Sequence, residues 1–230
     1  MFYSLFGLKK KIKFILAVLK FTLRERALGY TYKQFYDYYY LILNGVDTKL
    51  GYVTLLGKPV IQKHPNSIIR IEKGVTLVSD VTTNIAGISH PVILATLRKN
   101  SCIHIGKDSG LSGSTICCAA SVQLGEYVGI GVNTSIYDTD FHALDPYERK
   151  FDNNSNTISK PIVIADFVWI GGHSIILKGV NIANGAIIGA GSVISKDIPE
   201  LSIYAGNPAK FIKKINVDDT TYDNLFNASS

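Results

Sequence analysis

The sequence predicts a mainly β fold: a left-handed parallel β-helix of six-residue repeats, with a helical segment at its N-terminal end. Three observations carry this. Isoleucine stands at every sixth position from Ile164 through Ile170, Ile176, Ile182 and Ile188 to Ile194. Four residues after each come Val168, Ser174, Val180, Ala186, Ser192 and Ile198, mostly small or β-branched. Glycine recurs near the corners, at Gly171, Gly179, Gly185, Gly189 and Gly191. Six residues suit a short strand and a turn, and three such units close one triangular coil. An aliphatic side chain then points inward from every unit and stacks on its equivalents in neighbouring coils, which bury a core only together. β-branched residues suit the pleated wall, and glycine supplies the backbone freedom that sharp corners need.

Taken in order, the chain divides into an N-terminal basic and aromatic helical segment (1–48), the β-helix (49–204) and a C-terminal segment and tail (205–230). Residues 1–27 hold Lys9, Lys10, Lys11, Lys13, Lys20, Arg24 and Arg26 against Glu25 alone, and so carry the whole formal net charge of +6. The remainder is balanced, which argues against a nucleic-acid binder, whose basic stripe would cross the fold. Leu8, Ile12, Ile15, Leu19 and Leu23 fall at helical spacing. The apolar run Phe14–Leu19 is too short to span a bilayer or to form the core of a signal peptide. Two roles fit residues 8–27: packing on the protein's own body or trimer partners, and a peripheral contact with an anionic membrane. Tyr30, Tyr32, Phe35, Tyr36, Tyr38, Tyr39 and Tyr40 then read as an aromatic helix covering the first coil.

Upstream of Ile164 the same step joins Leu124, Ile130 and Ile136, and also Ile105 and Leu111, with a one-residue slip between the two runs. Ile71–Val75 reads as an irregular first coil, so the β-helix is expected from about residue 50 to about residue 200. The interval from Ile136 to Ile164 breaks the period. Its polar stretch, 138–161, reads as a loop extruded from a coil, and long loops on rigid scaffolds usually carry function. Cys102, Cys117 and Cys118 form no disulfide framework and suit a reducing cytoplasm.

The residues Ile164-Ala-Asp-Phe-Val-Trp-Ile-Gly-Gly-His-Ser, then Ile187-Ile-Gly-Ala-Gly-Ser-Val-Ile-Ser-Lys-Asp-Ile-Pro, then Tyr204-Ala-Gly-Asn-Pro-Ala-Lys, carry a resemblance over roughly residues 100–214. The chain resembles the hexapeptide-repeat acyltransferases, and within them the maltose, galactoside and capsular-sugar O-acetyltransferases. The resemblance implies a homotrimer that moves acetyl from acetyl-CoA to a sugar hydroxyl at sites between subunits. It implies His142 as general base on the extruded loop, where an imidazole takes the proton of a poorly nucleophilic hydroxyl. Asp138 or Asp140 is expected to orient the ring. The Gly172 amide corresponds to an oxyanion donor and Trp169 to the tryptophan lining the coenzyme arm. Ala190 and Ser195 match backbone contacts to the arm, and Lys210 and Lys213 match basic residues meeting the coenzyme phosphates, where the family more often has arginine.

One departure concerns the acceptor. Sugar acetyltransferases of the maltose type carry an asparagine one coil before the histidine, and this chain has Leu111-Ser-Gly-Ser-Thr115 there. Ser112, Ser114 and Asp138 are therefore the candidate acceptor contacts. No metal is expected, because His142, His173 and His104 lack the close spacing of a shared ligand set. The reading is a cytoplasmic O-acetyltransferase of cell-surface polysaccharide synthesis, with a peripheral contact at the inner membrane face. The alternatives are an N-acetyltransferase of an amino sugar or nucleotide-linked amino sugar, a metal-dependent hydratase and a silent trimeric scaffold.

Overall fold

The computed structural model describes residues 31–151 and 156–218. The basic segment 8–27 lies outside them. The description opens with α1 (Tyr32–Leu43), whose first turn is closed by a reciprocal pair: Thr31 Oγ1 accepts from the Gln34 amide and the Gln34 side chain accepts from the Thr31 amide. Leu41 is fully buried. The Tyr40 hydroxyl donates to Pro59 O at 2.7 Å, and the Leu55 amide donates to Asp37 Oδ2 at 3.3 Å. These contacts lay the aromatic helix over the first coil and shield its apolar end from water, as the sequence led us to expect.

Five complete coils follow. The first is β1 (Val53–Leu56), β2 (Val60–Lys63) and β3 (Ile68–Ile71), and the second is β4 (Val75–Val78), β5 (Ile93–Thr96) and β6 (Cys102–Ile105). The third is β7 (Gly110–Ser112), β8 (Thr115–Cys118) and β9 (Ser121–Leu124). The fourth is β10 (Gly129–Ile130), β11 (Ser135–Tyr137) and β12 (Ile162–Ile164), with the short helix α2 (Pro146–Lys150) between its last two strands. The fifth is β13 (Trp169–Ile170), β14 (Ile175–Leu177) and β15 (Asn181–Ile182). A last partial coil, β16 (Ile187–Ile188) and β17 (Val193–Ile194), leads to β18 (Ser202–Ala205) and β19 (Lys210–Lys214).

The strands form three sheets, the faces of a prism. The first face is β1-β4-β7-β10-β13-β16-β18-β19, the second β2-β5-β8-β11-β14-β17, and the third β3-β6-β9-β12-β15. Pairing between coils is parallel, and among the described strands β19 alone returns antiparallel, onto β18. The six-residue stepping thus ends near Ile198, yet the first face continues to Lys214. The first coil begins at Val53, ahead of the Ile71–Val75 segment that the sequence suggested.

Register explains the isoleucine ladder. Ile130, Ile170 and Ile188 are partners in adjacent strands, as are Ile136, Ile176 and Ile194, and Leu124, Ile164 and Ile182. All six isoleucines of the run are at most 1% exposed. Each such side chain contributes about 1.5–3 kcal/mol of burial free energy. The buried hydroxyls at the small positions are satisfied by corner carbonyls: Ser174 Oγ donates to Gly171 O at 2.7 Å and Thr134 Oγ1 donates to the same oxygen at 3.2 Å.

The corner glycines divide into two kinds. Gly185 and Gly191 have φ of +65° and +71° and use glycine's left-handed freedom. Gly171 does not; a Cβ there would come 2.5 Å from Ala190 N, so close stacking of coils is what excludes a side chain. The left-handed position at several other corners is taken by larger residues, among them Asn133, Phe167 and His173.

Two excursions leave the coils. The expected one, 138–161, departs between the second and third faces. Its stem is an antiparallel bridge between Thr139 and Ser159, flanked by bonds from Asp140 N to Ile158 O (3.1 Å) and Lys160 N to Asp138 O (2.9 Å). Within it α2 starts with Pro146 in its first turn, after Asp145, whose carboxylate accepts from the Glu148 amide. The second excursion, 79–92, was not anticipated. It departs between β4 and β5, at the edge between the first and second faces. No helix among the described residues is long and apolar enough to cross a membrane.

Candidate active site

The edge between the first and second faces is a column of stacked corners. From the N-terminal end it carries Gly113, then Gly131–Asn133, then Gly171–His173, then Gly189–Gly191, then Gly206. Successive corners are tied directly: His173 N donates to Val132 O at 2.7 Å, and Gly191 N donates to Gly172 O at 2.9 Å. The Gly172 N–H donates to no atom of the described residues, and the residue is half-exposed. An unspent backbone donor on a rigid, partly solvated corner is the group that can receive a developing negative charge on an acyl oxygen.

Trp169 stands beside this corner on the outside of the first face, 58% exposed. Its partner in the preceding coil is Gly129, and a Cβ there would make an ordinary contact with Trp169 Cδ1, at 3.5 Å, so the indole lies against the wall. Ala190 is exposed on the same column, one coil further on. Ser195 and Lys210 lie elsewhere: they line a cleft of about 350 Å³ with Lys196, Asp197, Tyr204 and Pro208, around the last coil and β19. Lys213 is exposed on β19 opposite Ile203. The structure thus groups Gly172 and Ala190 on one column with Trp169 on the face beside it, and Ser195 with Lys210 in one cleft.

His142 is on the other edge. Its loop leaves between the second and third faces, and the residue is exposed there, its amide donating to Asp140 O at 2.7 Å. Asp140 Oδ1 is bonded to Lys178 Nζ, while Oδ2 is buried without a hydrogen-bond partner. A buried carboxylate oxygen with no donor costs free energy unless one arrives.

Two sequence expectations for acceptor contacts fail on burial. Asp138 is fully buried, and its oxygens accept from the Ala119 and Ala120 amides at 2.6 and 2.7 Å. Its charge is spent on holding the turn between β8 and β9, so it neither meets an acceptor nor orients His142. Ser114 is also fully buried and donates to Ser112 O at 3.3 Å. Ser112 remains half-exposed on the column edge.

Sequence reasoning missed Lys178 and Asn133. A lone lysine in a coil carries no signal, but Asn133 sits at a corner that otherwise favours glycine. A groove of about 690 Å³ on the third face, around His104 and Glu126, is away from this chemistry. Its charges are paired, His104 with Glu72 at 3.4 Å and Lys107 with Glu126 at 2.7 Å, which suits a structural surface. Among the described residues no group of three or more His, Cys, Asp or Glu side chains is placed to hold a metal.

No protein-family model matches the chain. Individual proteins do. It is 32% identical over 163 residues to the galactoside O-acetyltransferase of Escherichia coli (strain K12), covering 69% of this chain and 75% of that protein. It is similar to a galactoside acetyltransferase solved in complex with coenzyme A, at 26% identity and a TM-score of 0.51, covering 84% of this chain and 74% of that one. It is similar also to the polySia-specific acetyltransferase NeuO, at 26% identity and a TM-score of 0.52, covering 76% of this chain and 72% of that one. The fold they share is the left-handed parallel β-helix, and one of these neighbours was solved holding coenzyme A. With a relative 32% identical and matched over three quarters of its length, the chain belongs to the hexapeptide-repeat acetyltransferases.

Proposed function

We propose that the chain moves acetyl from acetyl-CoA to a hydroxyl of a sugar, within the synthesis of a cell-surface polysaccharide, on a homotrimer. The observation that carries the reading is the Gly172 N–H, unpartnered among the described residues beside exposed Trp169. Acetyl-CoA supplies a thioester carbon open to attack. Trp169 and Ala190 line the arm, Ser195 meets it through the backbone, and Lys210 and Lys213 hold its phosphates by charge rather than by a bidentate fork.

His142 takes the proton of the acceptor hydroxyl as its oxygen bonds to the thioester carbon. The Gly172 amide donates to the oxygen that gains negative charge. As the carbon–sulfur bond breaks, His142 returns the proton to the departing thiolate. Asp140 Oδ2, buried and without a donor, suits an imidazole N–H and would hold the ring in the tautomer that leaves its other nitrogen basic. His142 and Gly172 sit on different edges of one chain, which favours a site closed by His142 of one protomer and the glycine column of its neighbour.

The sugar class rests on relatives that act on a galactoside and on polySia. The basic, apolar residues 8–27 would bring a cytoplasmic enzyme to an anionic membrane face where such acceptors are carried on lipid.

The test is acetyl transfer by purified protein to methyl galactoside, maltose and a sialic acid oligomer, read by thiol release and by product mass. His142→Ala should lower kcat about 10²–10⁴-fold. A variant that keeps near wild-type turnover removes His142 as the base.

A further inference from the structure

The unanticipated loop 79–92 stands on the same edge as Gly172, toward the N-terminal end of the column. It is fastened there at several points. Val92 N donates to Ser79 Oγ at 3.1 Å across its neck. Ile88 is buried over the third-coil corner: a Cβ on Gly113 would come 2.7 Å from Ile88 Cβ and 2.9 Å from His90 O. The Asn133 side chain spans the far side, accepting from Ser89 N at 2.9 Å and Ser89 Oγ at 3.0 Å while its amide donates to Gly87 O at 3.0 Å. Asn133 belongs to the corner stacked on Gly172, since Val132 O accepts from His173 N.

We propose that loop 79–92 is the acceptor-side wall of the transfer groove, with Asn133 as the positioning residue that clamps it and His90 as the side chain that binds the acceptor. This rests on the acetyl-transfer reading above. In that reading the coenzyme arm leaves Gly172 toward Ala190 and β19, the C-terminal direction along the column. The acceptor must then approach from the N-terminal direction, where this loop stands. The third-coil corner cannot supply the missing amide contact, because Gly113 is covered by Ile88 and Ser114 is buried.

The loop does present a suitable group. His90 Nδ1 lies 2.9 Å from Pro91 O. A carbonyl only accepts, so Nδ1 carries the proton and Nε2 of the neutral ring is the acceptor. That nitrogen has no partner among the described residues, and His90 is half-exposed. A hydroxyl donor on a sugar matches it. The Gly113 and Gly172 corners are two coils apart, about 10 Å at the usual strand spacing. One sugar ring does not span that gap, so the wall selects for acceptors of at least two sugar units.

Asn133→Gly and His90→Ala test this in the full-length enzyme. Asn133 has φ +56°, which glycine adopts without strain, so the first change removes the clamp and spares the corner. Steady-state transfer from acetyl-CoA is measured with maltose, a sialic acid oligomer and methyl galactoside. Each variant should raise KM for the longer acceptor about tenfold, the worth of one hydrogen bond, and leave KM for acetyl-CoA unchanged. Unchanged acceptor KM with transfer intact overturns the proposal, and so does an equal rise in both KM values. If the wild type binds acetyl-CoA, read by Trp169 fluorescence, yet acetylates none of the three, the sugar reading falls and the wall with it.

Discussion

Gly131 and Gly172 are stacked so tightly that a Cβ on Gly131 would stand 2.5 Å from the Gly172 nitrogen. The nearest atoms are backbone, which cannot swing aside as a flexible side chain would. Gly131→Ala must therefore push the fifth-coil corner outward and carry the proposed oxyanion donor with it. We expect turnover to fall about 10²-fold, the usual cost of a displacement near 1 Å at a reacting centre. KM for acetyl-CoA should change little, because Trp169 lies on the face rather than the corner. Unaltered turnover in a folded Gly131→Ala protein would show that the Gly172 amide takes no part.

The separation of His142 and Gly172 on two edges gives a test by subunit mixing. Gly172→Ala would bring a Cβ 2.8 Å from Val132 Cγ2 and should disable the glycine column. His142→Ala disables the other half. Each homogeneous variant should be nearly inactive. Denatured together in equal amounts and refolded, they should recover roughly a quarter of the wild-type sites, as random closed rings require when each site draws on two neighbours. No recovery on mixing would place both groups in a site within one chain.

Asp138 separates structural from chemical roles on the extruded loop. Asp138→Ala leaves the Ala119 and Ala120 amides without their acceptors in a fully buried place. Each orphaned donor costs about 1–3 kcal/mol, so chemical denaturation should show a loss of several kcal/mol. Asp138→Asn keeps one carbonyl acceptor and should lose less. If Asp138→Ala instead lowers turnover with the denaturation midpoint unmoved, the residue is chemical after all.

What the sequence made legible follows from how each feature is encoded. The ladder from Ile164 to Ile194 repeats an inward position, and repetition survives without knowledge of neighbours. The loop carrying His142 was legible as a break in that repetition. The 79–92 loop was not, because the early coils hold no strict six-residue step against which a break would show. Asp138 was misread for a different reason. Its nearness in sequence to His142 suggested chemistry, but its partners are Ala119 and Ala120 in the previous coil. Ser114 fails likewise, since whether a corner side chain faces the core or the solvent depends on the adjacent coil. The glycines misled in a third way: Gly171 looks like a conformational corner, and the need it answers is stacking against Ala190.

The paired thiols of β8 carry the pH-dependent prediction. Burial pushes the Cys118 thiol far above its ordinary value of 9.0, and the nearby Asp138 charge adds to it; the same two causes, in the same order, raise Cys117. The Cys118 thiol donates to Cys102 O at 3.3 Å rather than ionising. A thiol whose pKa is raised by folding stays protonated in the native state after it would have ionised in the unfolded one. Its contribution to stability is therefore complete below pH 9.0 and is lost as the pH rises from there toward the folded value. Two consequences can be measured. Iodoacetamide at pH 8 should leave Cys118 unmodified in the native protein and label it after denaturation, as read by peptide mass spectrometry. Denaturation midpoints should hold steady from pH 7 to 9 and fall above that, and replacing both cysteines by alanine should flatten the fall. Rapid native labelling of Cys118 would mean that β8 opens to solvent and that the thiol is not held in the core.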